Sequence, residues 1–251
     1  MLNLRKGHYA VRIGETADDL RAAQRLRWMC FVGSRTGQDG PGALDADDLD
    51  DLCHHALVED CSSGALVGCF RILPLSSGAG IESSYSARHY DLSALRDFAG
   101  PMVEIGRFCI HPAWRDPDIL RVSWGALAGF VDRTGTEMLF GCSSFVGTDT
   151  TRYEDAFALL RERHLAPERW LPRVKAPEVF HFGMALRQRA PDPVAAMAAM
   201  PPLLRSYLAM GGRVSDHAVV DRRLDTLHVF TGLEIRAIPP ARARLLRALA
   251  E

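Results

Sequence analysis

The stretch MVEIGRFCIHPAWRD, residues 102–116, combines a strand-like apolar run with two charged residues, Glu104 and Arg107. Successive side chains of a strand point to opposite faces, so residues three apart share a face only if the register changes between them. Gly106 stands between the charges, and a β-bulge there would bring both to one face and leave a backbone N–H unpaired beside them. The stretch therefore predicts a small polar site on a bulged strand. The alternative is a buried ion pair or a salt bridge at a strand edge.

The composition indicates a globular chain without a membrane span. Its 251 residues are 47% hydrophobic and 24% charged, with a net charge of -1, which suits one generous domain or a domain with an appendage. No apolar run approaches the ~20 residues that cross a bilayer, and the N-terminus has no apolar signal segment. We expect a cytoplasmic protein. The six cysteines form no C-x-x-C pair, which predicts reduced thiols and no structural zinc. The near-neutral charge argues against general nucleic-acid binding.

Periodicity and capping residues divide the chain into strands and helices. The predicted helix starts are Thr16 with Asp19, Asp116 with Pro117, and Thr151 with Glu154. The predicted strands are YAVRI, HHALVED, ALVGCFRILP, the opening stretch, MLFGCSSFVG, VFHFGMAL, HAVVD and LHVFTGLEI. Further helices are predicted at PPLLRSYLAM and at the basic, apolar ARARLLRALA. This order is expected of a GNAT-type acyltransferase, an α/β fold with a bulged central mixed sheet flanked by helices.

Four segments, LRWMCF, DDLDDLCHHALV, GCFRILP and VEIGRF, resemble the acyl-homoserine-lactone synthases and, more closely, the ornithine N-acyltransferases of ornithine-lipid synthesis. The second family is further indicated by YSARHYDLSAL, LFGCSSFVGTD and MPPLLRSYLAMGGRVSDHAVVD. The resemblance covers about residues 15–235. We expect a GNAT-like core over residues 1–165. A C-terminal extension over 166–251 would continue the sheet and end in the basic helix.

The resemblance implies a set of site residues. The implied catalytic residues are Glu104 and Arg107, to which the predicted bulge adds Gly106. The implied substrate-binding residues are Arg27, Phe31, Asp47, Asp50 and Arg71. Taken singly, each has an ordinary interpretation as a solvated helix or loop charge, a strand-edge charge or a core aromatic. Metal binding by the DADDLDDLCHH run is a further alternative, but the run lacks EF-hand spacing with its turn glycine, and we expect no metal.

The implied reaction is transfer of a 3-hydroxyacyl group to the α-amino group of L-ornithine, giving lyso-ornithine lipid. The attacking amine must be neutral, so Glu104 is the candidate base. Arg107 and backbone N–H groups at Gly106 are candidates to stabilise the oxyanion. Arg71 or Arg27 would bind the acceptor's carboxylate, while Asp47 and Asp50 would face its cationic side chain.

The turn HPAWRDPDILR lacks the glycine-rich pattern with which CoA-dependent GNAT enzymes bind a pyrophosphate. Pro117 has no N–H, and Asp116 and Asp118 add negative charge. We therefore expect acyl carrier protein as the donor, with the acyl group on its phosphopantetheine arm and no separate cofactor. Candidate docking residues for its acidic surface are Arg115, Arg121, Arg152, Arg161, Arg163 and Arg169, although solvated helix charges explain such arginines equally well.

Other interpretations stay open. The same chemistry on glutamine, glycine or lysine would need only local changes, and a lactone synthase using S-adenosylmethionine would share the core motifs. A membrane-active protein without enzymatic activity would need an insertion element, which the sequence lacks. The C-terminal IPPARARLLRALAE is either a weak contact with the inner face of an anionic membrane or a helix packed on its own domain.

Overall fold

The computed structural model describes residues 2–33 and 42–250. Its strands are β1 (Asn3–Lys6), β2 (Tyr9–Ile13), β3 (His54–Asp60), β4 (Leu66–Leu75), β5 (Tyr90–Asp91), β6 (Met102–Ile110), β7 (Met138–Val146), β8 (Arg173–Val174), β9 (Val179–Phe180), β10 (Arg213–Val214), β11 (Ala218–Asp221) and β12 (Thr226–Glu234). Its α-helices are α1 (Ala17–Trp28), α2 (Ser86–His89), α3 (Pro117–Thr134), α4 (Glu154–Arg163), α5 (Phe182–Ala185), α6 (Pro193–Ala199), α7 (Pro202–Ala209) and α8 (Pro240–Ala250). A π-helical turn, Met29–Gly33, extends α1.

The described residues form two compact units that interleave along the chain. The first unit contains residues 1–74, 103–136 and 240–251, and the second contains residues 75–102 and 137–239. The domain boundary predicted at residue 165 stays a prediction.

In the first unit, β1, β2, β3, β4 and β6 are neighbours in that order. The pairs from β1 to β4 are antiparallel. Helix α1 packs Ala23 and Leu26 against Leu57 of β3 and against Cys69 and Cys109. Helix α3 contacts β1 and β2. These contacts fix the helix that carries Arg27 against the strands β4 and β6, which carry Arg71, Glu104 and Arg107.

In the second unit, the long strand β12 pairs antiparallel with β7 and with β11. Strand β11 also pairs with β9, and the short β10 pairs with β12. Helix α4 supplies Phe157 to a core that contains Phe145 and Val229. The predicted strands HAVVD and LHVFTGLEI are confirmed as β11 and β12.

Two of the three predicted helix starts are confirmed. The Thr16 side chain accepts from the backbone N–H of Asp19, and the Asp19 carboxylate completes the capping box of α1. Asp116 caps α3, which has Pro117 in its first turn. The third start is wrong, because Asp149 caps a short 3₁₀ turn, Thr150–Tyr153, and α4 then begins at Glu154 without a side-chain cap.

The prediction of one strand over VFHFGMAL is also wrong. Only Val179–Phe180 pairs as β9, and the chain then turns into the short helix α5. Short apolar runs do not distinguish a buried strand from a buried helix, since both place every side chain in a core. Here Phe182 is fully buried, with its ring stacked on that of Phe157 at 5.1 Å.

The basic C-terminal segment forms helix α8, which packs against α3. An ideal Cβ at Gly125 would lie 2.9 Å from the carbonyl oxygen of Leu249, so this close approach requires glycine. Arg247 Nε also donates to Asp132 at 2.9 Å. Leu245 is 59% exposed, whereas Leu246 and Leu249 are partly buried. Among the described residues, no helix is long and apolar enough to cross a membrane.

Candidate active site

Strand β6 carries the two charged residues Glu104 and Arg107. Glu104 is buried, and the backbone of Arg107 has φ 51°. Residues other than glycine seldom adopt this left-handed backbone conformation. Within a strand it interrupts the regular alternation of side chains between the two faces of the sheet. The irregularity lies beside Gly106, the position where the sequence predicted a bulge. An ideal Cβ on Gly106 would lie 3.9 Å from Arg71 Nε, so Gly106 borders the Arg71 guanidinium.

Helix α1 places Arg27 inside the first unit, where its side chain is only 1% exposed. Its Nη1 and Nη2 donate to the two carboxylate oxygens of Asp50 at 2.8 Å each. Its Nε donates to the backbone oxygen of Asp45 at 3.1 Å, and Nη2 donates to the same oxygen. Every nitrogen of this guanidinium therefore has a partner within the protein.

Asp50 is the most heavily bonded carboxylate of the acidic segment. Besides Arg27, it accepts from Gln24 Nε2 at 2.9 Å and from Arg71 Nη1 at 3.1 Å. Burial raises the pKa of this carboxyl, but the hydrogen bonds from Arg27 and Gln24 outweigh burial and hold the pKa well below its usual range. Asp50 is therefore ionised whenever the protein is folded near neutral pH.

Asp47 lies at the more open edge of the same segment, with its side chain 21% exposed. Its carboxylate forms an ion pair with Arg71 Nη1 and accepts from the backbone N–H of Leu49 at 3.0 Å. Burial raises its pKa, but the hydrogen bond and charge of Arg71, with the charge of Arg107, lower the pKa overall. Burial lowers the pKa of Arg71, but the hydrogen bond and charge of Asp47 raise the Arg71 pKa above its usual value.

Arg107 joins this cluster from β6. Its Nε donates to Asp45 Oδ2 at 2.9 Å, and Nη2 donates to Asp47 Oδ2 at 3.4 Å. Its guanidinium carbon lies 6.0 Å from the centre of the Phe31 ring, which is within the range of a cation–π contact. The structure thus brings Arg27, Phe31, Asp47, Asp50, Arg71, Gly106 and Arg107 into one part of the first unit.

Four further residues lie at this cluster and were not predicted from the sequence. They are Asp45, which binds Arg107, and Gln24 and His55, which both bind Asp50. The fourth is Cys53, whose pKa is shifted by the nearby charges. Burial raises the pKa of Cys53 to about 11, with the charges of Glu104, Asp47 and Asp50 adding to the shift. A signal for Asp45 was present in the acidic run DADDLDD, and Gln24 lies three residues before Arg27 on the same helical face.

The predicted docking arginines are distributed over both units. Arg121, in the first unit, pairs with Asp118 at 2.8 Å, and Arg115 is exposed. In the second unit, Arg161 donates to the backbone oxygens of Arg187 and Arg189. Arg152 lies over the Tyr153 ring at 5.6 Å. Of the two further candidates, Arg163 bonds to Glu162 and Arg169 to Glu234.

The acidic run does not resemble a metal site. Within residues 2–33 and 42–250, no group of three or more His, Cys, Asp or Glu side chains is arranged to hold a metal ion. The carboxylates of Asp45, Asp47 and Asp50 instead face guanidinium groups. Arginine neutralises these carboxylates where a cation would otherwise be needed.

Comparison with known proteins gives the chain its family. The family model described as "Acetyltransferase (GNAT) domain" matches residues 26–125. An L-ornithine N(alpha)-acyltransferase of Rhodobacter capsulatus is 34% identical over 92% of this chain and 91% of that protein. A protein of the same name from Rhizobium meliloti is 29% identical over 90% of this chain and 80% of that protein.

The solved structures support the fold. FeeM, an N-acyl amino acid synthase from uncultured soil microbes, matches 92% of this chain and 94% of its own length, with 10% identity and a TM-score of 0.52. The predicted GNAT-like fold class is confirmed. The chain belongs to the L-ornithine N(alpha)-acyltransferase family and is an amino-acid N-acyltransferase with a GNAT fold.

Proposed function

We propose that this enzyme transfers a 3-hydroxyacyl group from acyl carrier protein to the α-amino group of L-ornithine and so makes lyso-ornithine lipid. The observation that carries the proposal is the buried cluster in the first unit, where Arg27, Arg71 and Arg107 meet Asp45, Asp47 and Asp50. The candidate base Glu104 is buried on the strand that carries Arg107. The names of the relatives supply the acceptor.

The charge of the cluster suits a dibasic amino acid. Its three guanidinium groups and four carboxylates, counting Glu104, leave one excess negative charge. Ornithine at neutral pH carries two ammonium groups and one carboxylate, so its net charge is complementary. Asp47 has the most exposed of the three aspartate carboxylates, and we assign it to the side-chain ammonium. A charged ammonium held there cannot attack a thioester, which directs acylation to the α-amine.

The acceptor carboxylate is assigned to Arg71. All the guanidinium nitrogens of Arg27 bond to Asp45 and Asp50, so we assign Arg27 to holding Asp50 in place rather than to the substrate. Arg71 meets the aspartates through Nη1, which leaves its Nε and Nη2 edge, bordered by Gly106, as the proposed fork for a carboxylate.

The acyl transfer itself needs a base and an oxyanion site. Glu104 takes the proton from the α-ammonium, directly or through water, and the neutral amine attacks the thioester carbonyl. The tetrahedral intermediate then collapses to the amide, the C–S bond breaks, and the phosphopantetheine leaves as a thiol with the second proton of the amine. Arg107 and the irregular backbone beside Gly106 stabilise the oxyanion. The raised pKa of Cys53 keeps its thiol protonated near neutral pH, which favours direct attack by the amine over a cysteine-bound acyl intermediate.

The start of helix α3 supports the carrier protein as donor. Asp116 Oδ1 accepts from the backbone N–H of Asp118 at 2.9 Å, and Tyr9 donates its hydroxyl hydrogen to Asp116 Oδ2 at 2.9 Å. The adjacent Pro117 has no N–H to offer. A carboxylate of the protein therefore already binds where a CoA pyrophosphate would need backbone N–H groups. The phosphopantetheine arm of a carrier protein lacks that pyrophosphate.

Lipid mass spectrometry tests the function. A bacterial host without ornithine lipids would express the wild-type chain or Glu104→Gln. We expect Nα-(3-hydroxyacyl)ornithine only with the wild type. Acyl-glutamine, acyl-glycine, acyl-lysine or an acyl-homoserine lactone as the new product, or no new lipid from a folded wild-type chain, would reject the assignment.

A further inference from the structure

Asp45 makes contacts through its backbone and through its side chain. Its backbone N–H donates to the backbone oxygen of Gln24 on α1 at 3.1 Å. Its own backbone oxygen accepts from Arg27 Nε at 3.1 Å. Its carboxylate Oδ2 accepts from Arg107 Nε at 2.9 Å. The carboxylate is 7% exposed. The same Oδ2 lies 3.3 Å from Arg27 Nε. Asp45 is therefore fixed to helix α1, while its carboxylate also reaches Arg107 on β6.

Arg107 needs such a fixed partner. With a backbone φ of 51°, the Arg107 side chain leaves the strand in a direction that is unusual for a strand residue. A guanidinium on a flexible stem has many rotamers, and stabilising a developing charge requires that its nitrogens be aimed beforehand. A bond to Nε restrains the side chain near its end and so limits the orientations of the guanidinium.

Of the three aspartates, Asp45 is best placed for this role. Asp50 is committed to Arg27, Gln24 and Arg71. Asp47 reaches Arg107 only at 3.4 Å and also pairs with Arg71. Asp45 accepts from Arg107 at 2.9 Å, a shorter distance than the 3.4 Å of the bond to Asp47.

We propose that Asp45 is a positioning residue that aims the Arg107 guanidinium at the thioester carbonyl. The inference rests on the proposed function. Asp45 is assigned no contact with either substrate, so its effect on the reaction passes through Arg107.

A double-mutant cycle tests this role. Asp45→Asn is preferred to Asp45→Ala because it keeps the size of the side chain and an oxygen acceptor while removing the charge. It is measured in the wild type and in Arg107→Met, with kcat, the KM for ornithine and the thermal midpoint as readouts. Asp51→Asn, at an exposed position in the same acidic run, is the matched control.

In the wild-type background, we expect Asp45→Asn to lower kcat by about 10- to 100-fold, the usual result of a small misplacement of a catalytic group. The KM for ornithine should stay close to wild type, whereas the thermal midpoint should fall, because the Asp45 carboxylate is a buried partner of Arg27 and Arg107. In the Arg107→Met background, the same change should add less than about threefold, since there is no guanidinium left to aim. Asp51→Asn should have wild-type kinetics.

Three results would overturn the positioning role. They are a wild-type kcat for Asp45→Asn, a rise in the ornithine KM that accounts for the whole loss, and an equal loss of kcat in both backgrounds. Failure of the proposed function is a different result, because the wild-type enzyme itself would then transfer no acyl group to ornithine.

Discussion

The Arg27 guanidinium and the Asp50 carboxylate form a bidentate pair, with both N–O distances at 2.8 Å and both side chains at most 4% exposed. Removing one partner of a buried pair leaves an uncompensated charge, which costs about 3–5 kcal/mol. We expect Asp50→Asn to lower the free energy of unfolding by that amount at pH 7 in urea titrations. Arg21→Ala removes an exposed pair with Asp18 on the same helix and should leave stability unchanged.

The same pair predicts a pH dependence with a definite sign. The pKa of Asp50 is lowered in the folded state, whereas an unfolded aspartate has a pKa of about 3.9. The contribution of the pair is complete above the unfolded pKa and is lost as the pH falls toward the folded pKa. The stability difference between wild type and Asp50→Asn should therefore shrink below about pH 4. A difference that grows in acid would contradict the assigned ionisation.

Glu104→Gln should abolish most turnover without unfolding the protein. General acid–base catalysis contributes about 100- to 10,000-fold to a rate, and glutamine keeps the shape of glutamate but accepts no proton. Steady-state acyl transfer and thermal unfolding would be measured side by side. Glu59→Gln is the control, because Glu59 pairs with Arg12 and neither residue belongs to the candidate active site. Near-wild-type turnover in a folded Glu104→Gln enzyme would reject the base.

Acyl carrier protein should be preferred over CoA as the donor of the same acyl group. We expect kcat/KM to differ by at least about tenfold, which corresponds to ~1.4 kcal/mol. Arg115→Glu and Arg121→Glu should raise the KM for the carrier protein but not for acyl-CoA, because repulsion acts only on the acidic protein surface. Equal efficiency with both donors would contradict the interpretation of the Asp116 cap.

Helix α8 should contribute to stability more than to membrane binding. Its Leu249 backbone fits against Gly125, and Leu245 is the exposed leucine of the helix. A chain truncated after Pro240 should unfold at a lower temperature than the full-length chain. The fraction of protein that floats with anionic liposomes at low salt should be the same for both chains. Loss of flotation in a truncated chain that stays folded would instead make α8 the membrane contact.

Features that depend on residues close together in the sequence were predicted better than contacts between residues far apart in the sequence. The caps at Thr16 and Asp116 are set by residues two or three positions away, and both were predicted correctly. The segment VFHFGMAL was not, because core packing of Phe182 decides between strand and helix. Asp45 was missed since its partner Arg107 is 62 residues away. The roles of the site residues were implied by family resemblance, whereas their bonds required the folded structure.

Competition between amino acids tests whether ornithine is the acceptor. The purified enzyme would receive 3-hydroxyacyl carrier protein and equal concentrations of ornithine, lysine, glutamine and glycine, with products identified by mass spectrometry. We expect mainly ornithine acylated on its α-amine, because Asp47 would hold the side-chain ammonium in its charged form. A different amino acid as the main product, or acylation of the side-chain amine of ornithine, would contradict it.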